Sequence, residues 1–482
     1  MKKEISASVT VYLCLVLGIM LSFTFTVLEA ARQQVIKAEI EGVMDIGLFS
    51  VLGEYHKQLL ERYDIFAIDA GYGNKSSKTK QLEAHLQFYL NKNLKKEGSL
   101  FYSQGADLTK LSCDGVSMKE YLLLSDNSGQ VMREAILNYM KHKKGSLITN
   151  ILDRNYESLE NQENSGSEGR SQWREKSSEI KSLIEERNRE RKEDEEPIVP
   201  DNPADYVETT IEEGILGLAL PSGKEISAQS ITKSNYFSYR ANREGEGNLA
   251  FKSSSLNGIT KKTYLEEYYF AKCSYFNQER EDSLLKYQLE YLLQGEEKDQ
   301  DNLEKTLQRI LLIREGINLS YLMTDSQKQA EAETMALLIS VACLMPELKE
   351  PLKTVILFAW SYAESVKDIR ILLDGKQVAA TKSDSTWNTP LSQLLSFTSH
   401  LGEYKCVENG MAYQDYLKFF LWTTNEQKLL SRFMDICEMD IRTITQNPYF
   451  SLDQCITVFQ ASSYFISGYG GDYEITRTGY YE

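Results

Sequence analysis

Residues 9–28 read VTVYLCLVLGIMLSFTFTVL, an apolar run of 20 residues without a charge. The run follows a short start, residues 1–8, that contains Lys2 and Lys3. About 20 helical residues span the roughly 30 Å hydrocarbon core of a bilayer. A cleaved signal peptide has a shorter apolar region of about 7–15 residues and a small-residue cleavage site, which the exit at residues 28–32 lacks. The run therefore predicts an uncleaved transmembrane signal anchor after a short cytoplasmic start.

The basic residues beside this run predict its orientation. Lys2 and Lys3 precede it, and Arg32 and Lys37 follow it closely. Lys and Arg are enriched on the cytoplasmic side of membrane segments, whereas Asp and Glu have little influence. A basic start before one apolar run is the usual arrangement of a signal anchor. We therefore expect a single-pass protein of the cell membrane, with a cytoplasmic N-terminus, an extracellular C-terminal ectodomain and the lipid bilayer as a partner.

The apolar pattern continues beyond the membrane segment, over residues 29–63. Apolar residues such as Ile36, Ile40 and Leu48 recur at steps of three and four, and no proline interrupts them. This spacing predicts an amphipathic stalk helix that is continuous with the membrane helix. Its apolar stripe must be covered either by the protein's own ectodomain or by neighbouring subunits.

The rest of the chain divides by composition. Residues 64–159 mix helical and strand-like patterns, which predicts a membrane-proximal mixed α+β region. Residues 160–203 are rich in charged residues and poor in aliphatic ones, which predicts a charged flexible linker. Residues 204–482 predict a mainly helical ectodomain with a strand-like start, a helical bundle and a terminal hairpin. The expected fold class is α+β, mainly α-helical.

Overall composition limits the classes of partner. The chain has 482 residues and a formal net charge of −16, whereas a nucleic-acid-binding surface has to be basic. We therefore expect no nucleic-acid partner. Hydrophobic residues make up 42% of the chain, enough for folded cores.

The seven cysteines leave two alternatives open. Cys14 lies in the membrane run, and the others show no C-x-x-C spacing, which disfavours a zinc ribbon or a thioredoxin-type site. The other six form disulfides or are buried as small apolar side chains: Cys113, Cys273, Cys343, Cys406, Cys437 and Cys455.

Catalytic and cofactor motifs are absent from the sequence. There is no G-x-S-x-G, H-E-x-x-H, Walker loop or G-x-G-x-x-G after a strand. The four histidines are far apart in sequence: His56, His85, His142 and His400. We therefore expect no enzyme, and no catalytic residue, cofactor or metal site.

The most unusual polar residues lie within the helical block. They are Arg314, Glu315, Asn318, Glu364, Asp368 and Arg370. Because a buried charge is costly unless it is paired, we expect Arg314 to meet Glu364 or Asp368 across two helices. The alternative is a pair of carboxylates that act as acid and base, as in glycoside hydrolases, but the sequence indicates no substrate groove.

Several blocks of the chain resemble a known family. They are SVTVYLCLVL, TVLEAAR, VLGEYHKQLLERYDIFAID, ALPSGKEIS, YQLEYLLQG, RILLIREGINLSYL and ILFAWSYAESVKDIRILLDG. Together they resemble DUF5702, a family of uncharacterised proteins, over nearly the whole length. The N-terminal plan also resembles the TadE/TadG-like pseudopilins of tight-adherence (Tad) pilus systems. The resemblance implies an envelope-anchored role and transfers no catalytic residue.

These observations predict a pilin-like structural or assembly component of the cell envelope, whose partners are components of a tight-adherence pilus or a secretion system. One pilin feature is missing, because residues 8–12 contain neither the acidic residue nor the preceding glycine of type IV pilins. Two alternatives are an envelope enzyme whose carboxylates converge in three dimensions and a surface adhesin or sensor that uses the Tyr-rich C-terminus.

Overall fold

The computed structural model describes residues 4–74, 79–94, 109–143, 156–191, 197–199, 203–250, 253–405 and 407–481. Residues 1–3 of the predicted cytoplasmic start, Cys406 and parts of the predicted linker lie outside the described residues.

The chain folds as an α+β protein that is mainly α-helical, which confirms the predicted fold class. The helices are α1 (Glu4–Leu52), α2 (Lys57–Tyr63), α3 (Thr79–Leu94), α4 (Asp126–Lys143), α5 (Tyr156–Glu190), α6 (Pro203–Glu212), α7 (Ile215–Ala219), α8 (Gly258–Lys272), α9 (Gln288–Gln294), α10 (Asp299–Thr324), α11 (Ser326–Ala342), α12 (Lys349–Leu373), α13 (Tyr413–Thr423) and α14 (Glu426–Thr445). The strands are β1 (Ile68–Asp69), β2 (Leu111–Leu123), β3 (Cys455–Ser467) and β4 (Asp472–Tyr480).

These elements form two compact units. The first consists of Met1–Tyr139, Arg240–Ser254 and Ile441–Glu482, and the second of Met140–Tyr239 and Ser255–Asp440. The boundaries predicted from composition, after residues 63, 159 and 203, do not coincide with this division.

An antiparallel sheet forms the centre of the first unit. Strand β3 pairs with β2 on one side and with β4 and the short β1 on the other. Its β-branched and aromatic residues favour an extended strand, and Ile456, Phe459 and Phe465 are fully buried. The predicted terminal hairpin, β3–β4, is thus present. It belongs to the first unit rather than to the helical region at 204–482, because β3 needs α1, α3 and β2 to bury its apolar face.

The C-terminal half of α1 supplies much of that cover. Its buried residues, spaced by three or four, are Ile36, Ile40, Val43, Met44, Leu48 and Val51. They share one core with α3, β2 and β3, and α1 also contacts β4. Of the two alternatives for covering the apolar stripe, the protein's own first unit covers this face.

The predicted stalk helix ends earlier than residue 63. α1 stops at Leu52, and a separate helix, α2, begins after His56, whose Nδ1 accepts a hydrogen bond from the Leu59 N–H at 3.2 Å. Gly53 lowers the helix propensity at the break. A side chain that satisfies an early N–H of a helix stabilises a new N-terminus there, so the local cap overrides the continuous apolar pattern.

In the second unit, α10 and α12 lie at the centre. α12 is buried at nearly every position, and it contacts α5, α10 and α11. The predicted helical bundle is present. The predicted strand-like start is wrong, because Pro203–Glu212 and Ile215–Ala219 are helices whose apolar residues pack against α12.

The predicted flexible linker is also wrong over its described part. Residues 160–190 belong to α5, which packs along α10 and α12. The buried positions of α5 recur at helical spacing, and they are Gly166, Gly169, Trp173, Ser177 and Ile180. Because two glycines, a serine and a tryptophan make most of this contact, one face of α5 is buried with a single buried aliphatic residue, Ile180.

Candidate functional site

The N-terminal half of α1 is long and apolar enough to cross a membrane, and no residue of its apolar window is buried. Hydroxyl groups within it are satisfied locally, since Thr24 donates to the Met20 carbonyl at 2.7 Å and Thr26 to that of Ser22 at 2.9 Å. Such bonds to the preceding turn make threonine tolerable in an apolar helix. The segment is therefore compatible with a single-pass membrane protein.

Charged and polar side chains mark the end of the apolar run. Glu29 accepts hydrogen bonds from Arg32 at 2.9 Å and from Gln33 at 3.0 Å. These bonds lie within one helical turn, so Glu29 is paired within its own helix. The contact with Gln33 and the charge of Arg32 lower the pKa of Glu29 below its ordinary value.

A second apolar stripe on α1 remains uncovered, and we call it the open α1 face. It consists of Leu28, Ala31, Val35, Ala38, Gly42, Ile46 and Phe49, all of which are exposed. The spacing of three or four places these residues on one side of the helix, away from the buried face. Val35 is 51% exposed, Ile46 52% and Phe49 80%. The stripe continues the exposed apolar surface of residues 9–28 along the rest of α1.

One border of the open α1 face is acidic. Glu41 and Asp45 lie beside it, and Arg477 of β4 approaches them at 3.6 and 3.9 Å. An exposed ion pair of this kind contributes at most about 1 kcal/mol. The ion pair lies at the edge of the open α1 face and does not cover its apolar residues. At Gly42 an added Cβ would meet nothing within 4 Å, so no contact of the described fold requires a glycine there.

The polar residues singled out in the helical block form a buried charge cluster in the second unit. Arg314 donates to Asp368 from Nε at 3.0 Å, and its Nη2 lies 2.8 Å from the same oxygen. Lys382 donates to Glu364 at 2.5 Å and to Asp368 at 2.9 Å. The side chains of all four are at most 1% exposed. Two cations thus neutralise two carboxylates, as burial requires.

The environment of Asp368 keeps it ionised. Burial acts to raise its pKa, but the charges of Arg314 and Lys382 and the Asn318 amide together hold the pKa of Asp368 below its ordinary value. Asn318 donates to Ser365 at 2.8 Å and to Asp368 at 3.1 Å. It therefore links α10 to α12 beside the ion pair.

The other two predicted residues have different partners. Glu315 accepts two hydrogen bonds from Arg170 of α5, at 2.7 and 2.8 Å, and its side chain is 1% exposed. Arg370 donates to the Leu220 carbonyl at 3.0 Å, so it anchors the segment after α7. Burial raises the pKa of Glu315, and the positive charge of Arg170 opposes this effect.

The carboxylates proposed for acid–base chemistry therefore do not meet in an open cleft. Glu315, Glu364 and Asp368 are each buried and bonded to a cation or an amide of the protein. Arg170 and Lys382 were missed because one lies in a charged stretch and the other in a polar loop. The period of Gly166, Gly169 and Trp173 is the signal that could have revealed the helix that carries Arg170.

Two further buried carboxyl groups in the second unit accept their hydrogen bonds from neutral groups of the protein. Glu290 accepts hydrogen bonds from the Phe276 N–H at 3.0 Å and the Tyr413 hydroxyl at 2.7 Å. Burial raises the pKa of Glu290 to about 7. Burial likewise raises the pKa of Asp435 to about 6. Both groups are therefore sensitive to pH near neutrality.

Five cysteines of the described chain are buried. The buried cysteines are Cys113, Cys273, Cys343, Cys437 and Cys455, which fits the alternative of small apolar side chains. Within the described ranges, no group of three or more His, Cys, Asp or Glu residues could hold a metal ion.

Comparison with known proteins identifies one family. The model of DUF5702, a family of unknown function, matches residues 190–466. No curated protein matches the chain, and no solved structure matches it.

Proposed function

The chain belongs to the DUF5702 family, whose function is unknown, and we propose that it is a membrane-anchored, pilin-like assembly component of the cell envelope. The observation that carries this proposal is the open α1 face. One helix combines an exposed apolar segment of membrane-spanning length, a half that packs on its own antiparallel sheet, and an apolar stripe that continues outward. The proposed role is structural rather than catalytic.

The position of the stripe favours a helical protein partner over lipid. Residues 9–28 are long enough for the hydrocarbon core. At about 1.5 Å per residue, Phe49 lies roughly 30 Å farther along the helix than Leu28. Lipid chains do not reach this distance, whereas a neighbouring helix that also leaves the membrane can follow the whole stripe. Exposed apolar stripes on a soluble surface are typical of such protein contacts.

The proposed partners are components of a tight-adherence pilus or a related secretion system, including other copies of this chain. The TadE/TadG-like plan of the N-terminus supports this assignment, because in pilin-like proteins a membrane helix continues into the folded head. The proposed orientation has the N-terminus in the cytoplasm and the chain that follows the membrane segment outside the cell. Protease treatment of intact cells should then degrade the ectodomain and leave the membrane segment protected.

Site-specific photo-crosslinking in membranes tests the proposal directly. A photoreactive amino acid at Val35 or Ile46 should crosslink the full-length chain to specific envelope proteins or to another copy. Gln34 is the matched control, because it is exposed, precedes Val35 and points about 100° away around the helix.

Crosslinks from Val35 and Ile46, with none from Gln34, would support the assembly role. Crosslinks only to lipid, or equal crosslinking from all three positions, would contradict it. Identification of the crosslinked proteins by mass spectrometry separates self-association from binding to another pilus or secretion component.

A further inference from the structure

The second unit contains a cavity of about 700 Å³ beside the buried charge cluster. Its walls come from the first turns of α5, the C-terminal half of α10, residues 380–382 and α13. Ligand-binding pockets commonly have volumes of about 300–1,000 Å³. The cavity is therefore large enough for a small organic ligand.

The buried cluster fixes one wall of this cavity. Arg314 donates to the Ala379 carbonyl at 2.8 Å, and Lys382 is held by Glu364 and Asp368. These contacts restrain both ends of the short segment that carries Ala380 and Thr381. A wall held by buried charges is preorganised, which lowers the entropy lost when a ligand binds.

The charged residues that line the cavity already have partners in the protein. Lys382 is neutralised within the cluster, and Asp415 accepts a hydrogen bond from the Ala412 N–H at 2.9 Å in the first turn of α13. The Lys418 ammonium lies 4.9 Å from the centre of the Phe270 ring, a favourable cation–π distance. The remaining charges, those of Asp415 and Lys418, are opposite in sign, so the lining has no net charge that would favour an anionic or a cationic ligand.

Polar but neutral groups remain available on the walls. The Gln162 side chain lines the cavity, and its amide can donate and accept hydrogen bonds. The exposed residues Ser320 and Thr381 add hydroxyl groups that can donate and accept.

Apolar groups alternate with these polar ones. Leu159, Ile317 and Met411 line the same cavity, together with the tyrosines 156 and 321. The Tyr321 hydroxyl donates to Asp384 at 2.8 Å, so its ring is the part that remains for a ligand. Hydroxyl and amide groups beside aliphatic and aromatic surfaces match a molecule with many hydroxyls and apolar C–H faces.

We propose that this cavity binds a short neutral saccharide. The sugar hydroxyls bond to Gln162, Ser320 and Thr381, and the C–H faces of the rings pack on the apolar wall. This inference stands independently of the assembly role, because it involves neither α1 nor the first unit. An extracellular position would expose the cavity to the glycans of the envelope.

Binding of defined saccharides to the full-length protein in lipid nanodiscs tests the inference. The neutral probes are maltotriose and triacetylchitotriose, and the charged probe is trigalacturonate. Saturation-transfer NMR detects contact, and calorimetry gives the Kd. We expect at least one neutral probe to bind with a Kd of about 1 mM or lower, and the charged probe to bind at least tenfold more weakly.

Two variants locate the site. Thr381→Trp fills the cavity from an exposed position and should abolish binding, whereas Thr334→Trp, on the exposed surface of α11, should leave it unchanged. If Thr381→Trp fails to fold, Ser320→Trp from the opposite wall replaces it. Gln162→Leu removes the amide and should raise the Kd about tenfold.

The inference is overturned if neither neutral probe binds at about 10 mM, if trigalacturonate binds as tightly as the neutral probes, or if the variants that fill the cavity retain binding. The crosslinking experiment at Val35 and Ile46 reads out assembly separately, so failure of one proposal is distinguishable from failure of the other.

Discussion

We expect the substitution Arg170→Ala to lower the free energy of unfolding by about 3 kcal/mol at pH 7. The guanidinium makes two hydrogen bonds to Glu315, at 2.7 and 2.8 Å, and the Glu315 side chain is 1% exposed. Breaking a buried ion pair from one side costs about 3–5 kcal/mol, because the remaining charge stays buried.

Proton uptake by Glu315 limits this loss. Its ordinary pKa is 4.5, and each pH unit above that value adds about 1.36 kcal/mol to the cost of keeping it protonated. At pH 7 this amounts to roughly 3 kcal/mol, which sets the expected loss in the variant. At pH 5 the same cost falls below about 1 kcal/mol, so the variant and the wild type should differ much less there.

Urea unfolding of the full-length protein in detergent, followed by tryptophan fluorescence, measures these differences. Trp173 of α5 stacks on Phe358 at 5.3 Å, so its emission reports whether α5 is docked. Arg174→Ala, at an exposed position one turn along the same helix, is the matched control and should cost less than about 0.5 kcal/mol. Equal losses in the two variants, or a loss for Arg170→Ala that does not shrink at pH 5, would refute the reasoning.

Three further predictions concern packing, pH and assembly. Gly166→Ala should destabilise the protein by about 1–3 kcal/mol, because an added Cβ would lie 2.0 Å from a carbonyl oxygen of α10. The control Gly217→Ala should leave stability unchanged, because its Cβ would meet nothing within 4 Å. Thermal unfolding compares the two variants. Burial raises the pKa of Glu290 to about 7, so the folded state holds a proton that the unfolded state loses above about pH 4.5. Stability should therefore fall by roughly 3 kcal/mol between about pH 4.5 and 7, and Glu290→Gln should flatten that fall in urea titrations at several pH values. Gly42→Leu should leave thermal stability unchanged and reduce crosslinking from the open α1 face. Gly47→Ala should instead lower thermal stability, because the added Cβ would lie 2.6 Å from a leucine of α3.

Each of these has an outcome that would contradict it. Equal melting temperatures for Gly166→Ala and Gly217→Ala would show that the packing of α5 on α10 does not require close backbone contact. A pH profile that Glu290→Gln leaves unchanged would assign the dependence to other groups, such as Asp435. Normal crosslinking in Gly42→Leu would separate the open α1 face from assembly.

The local patterns of the chain were sufficient for its fold class and for most of its long helices, but not for α5, α6 and α7. The spacing of Ile36, Ile40 and Leu48 identified the buried face of α1, because helical periodicity depends only on near neighbours in sequence. The same periodicity located α10 and α12. It did not predict the end of α1 at Leu52, because the competing cap at His56 is a short-range hydrogen bond rather than an apolar pattern.

The candidate site shows a similar division. The spacing of Arg314, Asn318 and Asp368 predicted charges that meet across two helices, since a buried charge requires a partner. The second cation, Lys382, lies in a loop with no periodicity, so the sequence carried no signal for it. Arg170 was assigned to a solvated linker because its segment has few aliphatic residues, although Gly166 and Gly169 let α5 pack closely on α10.

By itself the sequence determined the apolar membrane-length helix, the helical character of the chain and the need to pair the charges of α10 and α12. Each depends on the order of residues within a few turns. The tertiary structure decided which face of α1 is covered and which is open, because β3 and β4 come from the far end of the chain. It also decided that α5 packs on α10, and that a neutral cavity lies beside the charge cluster, because these depend on contacts between residues that are distant in sequence.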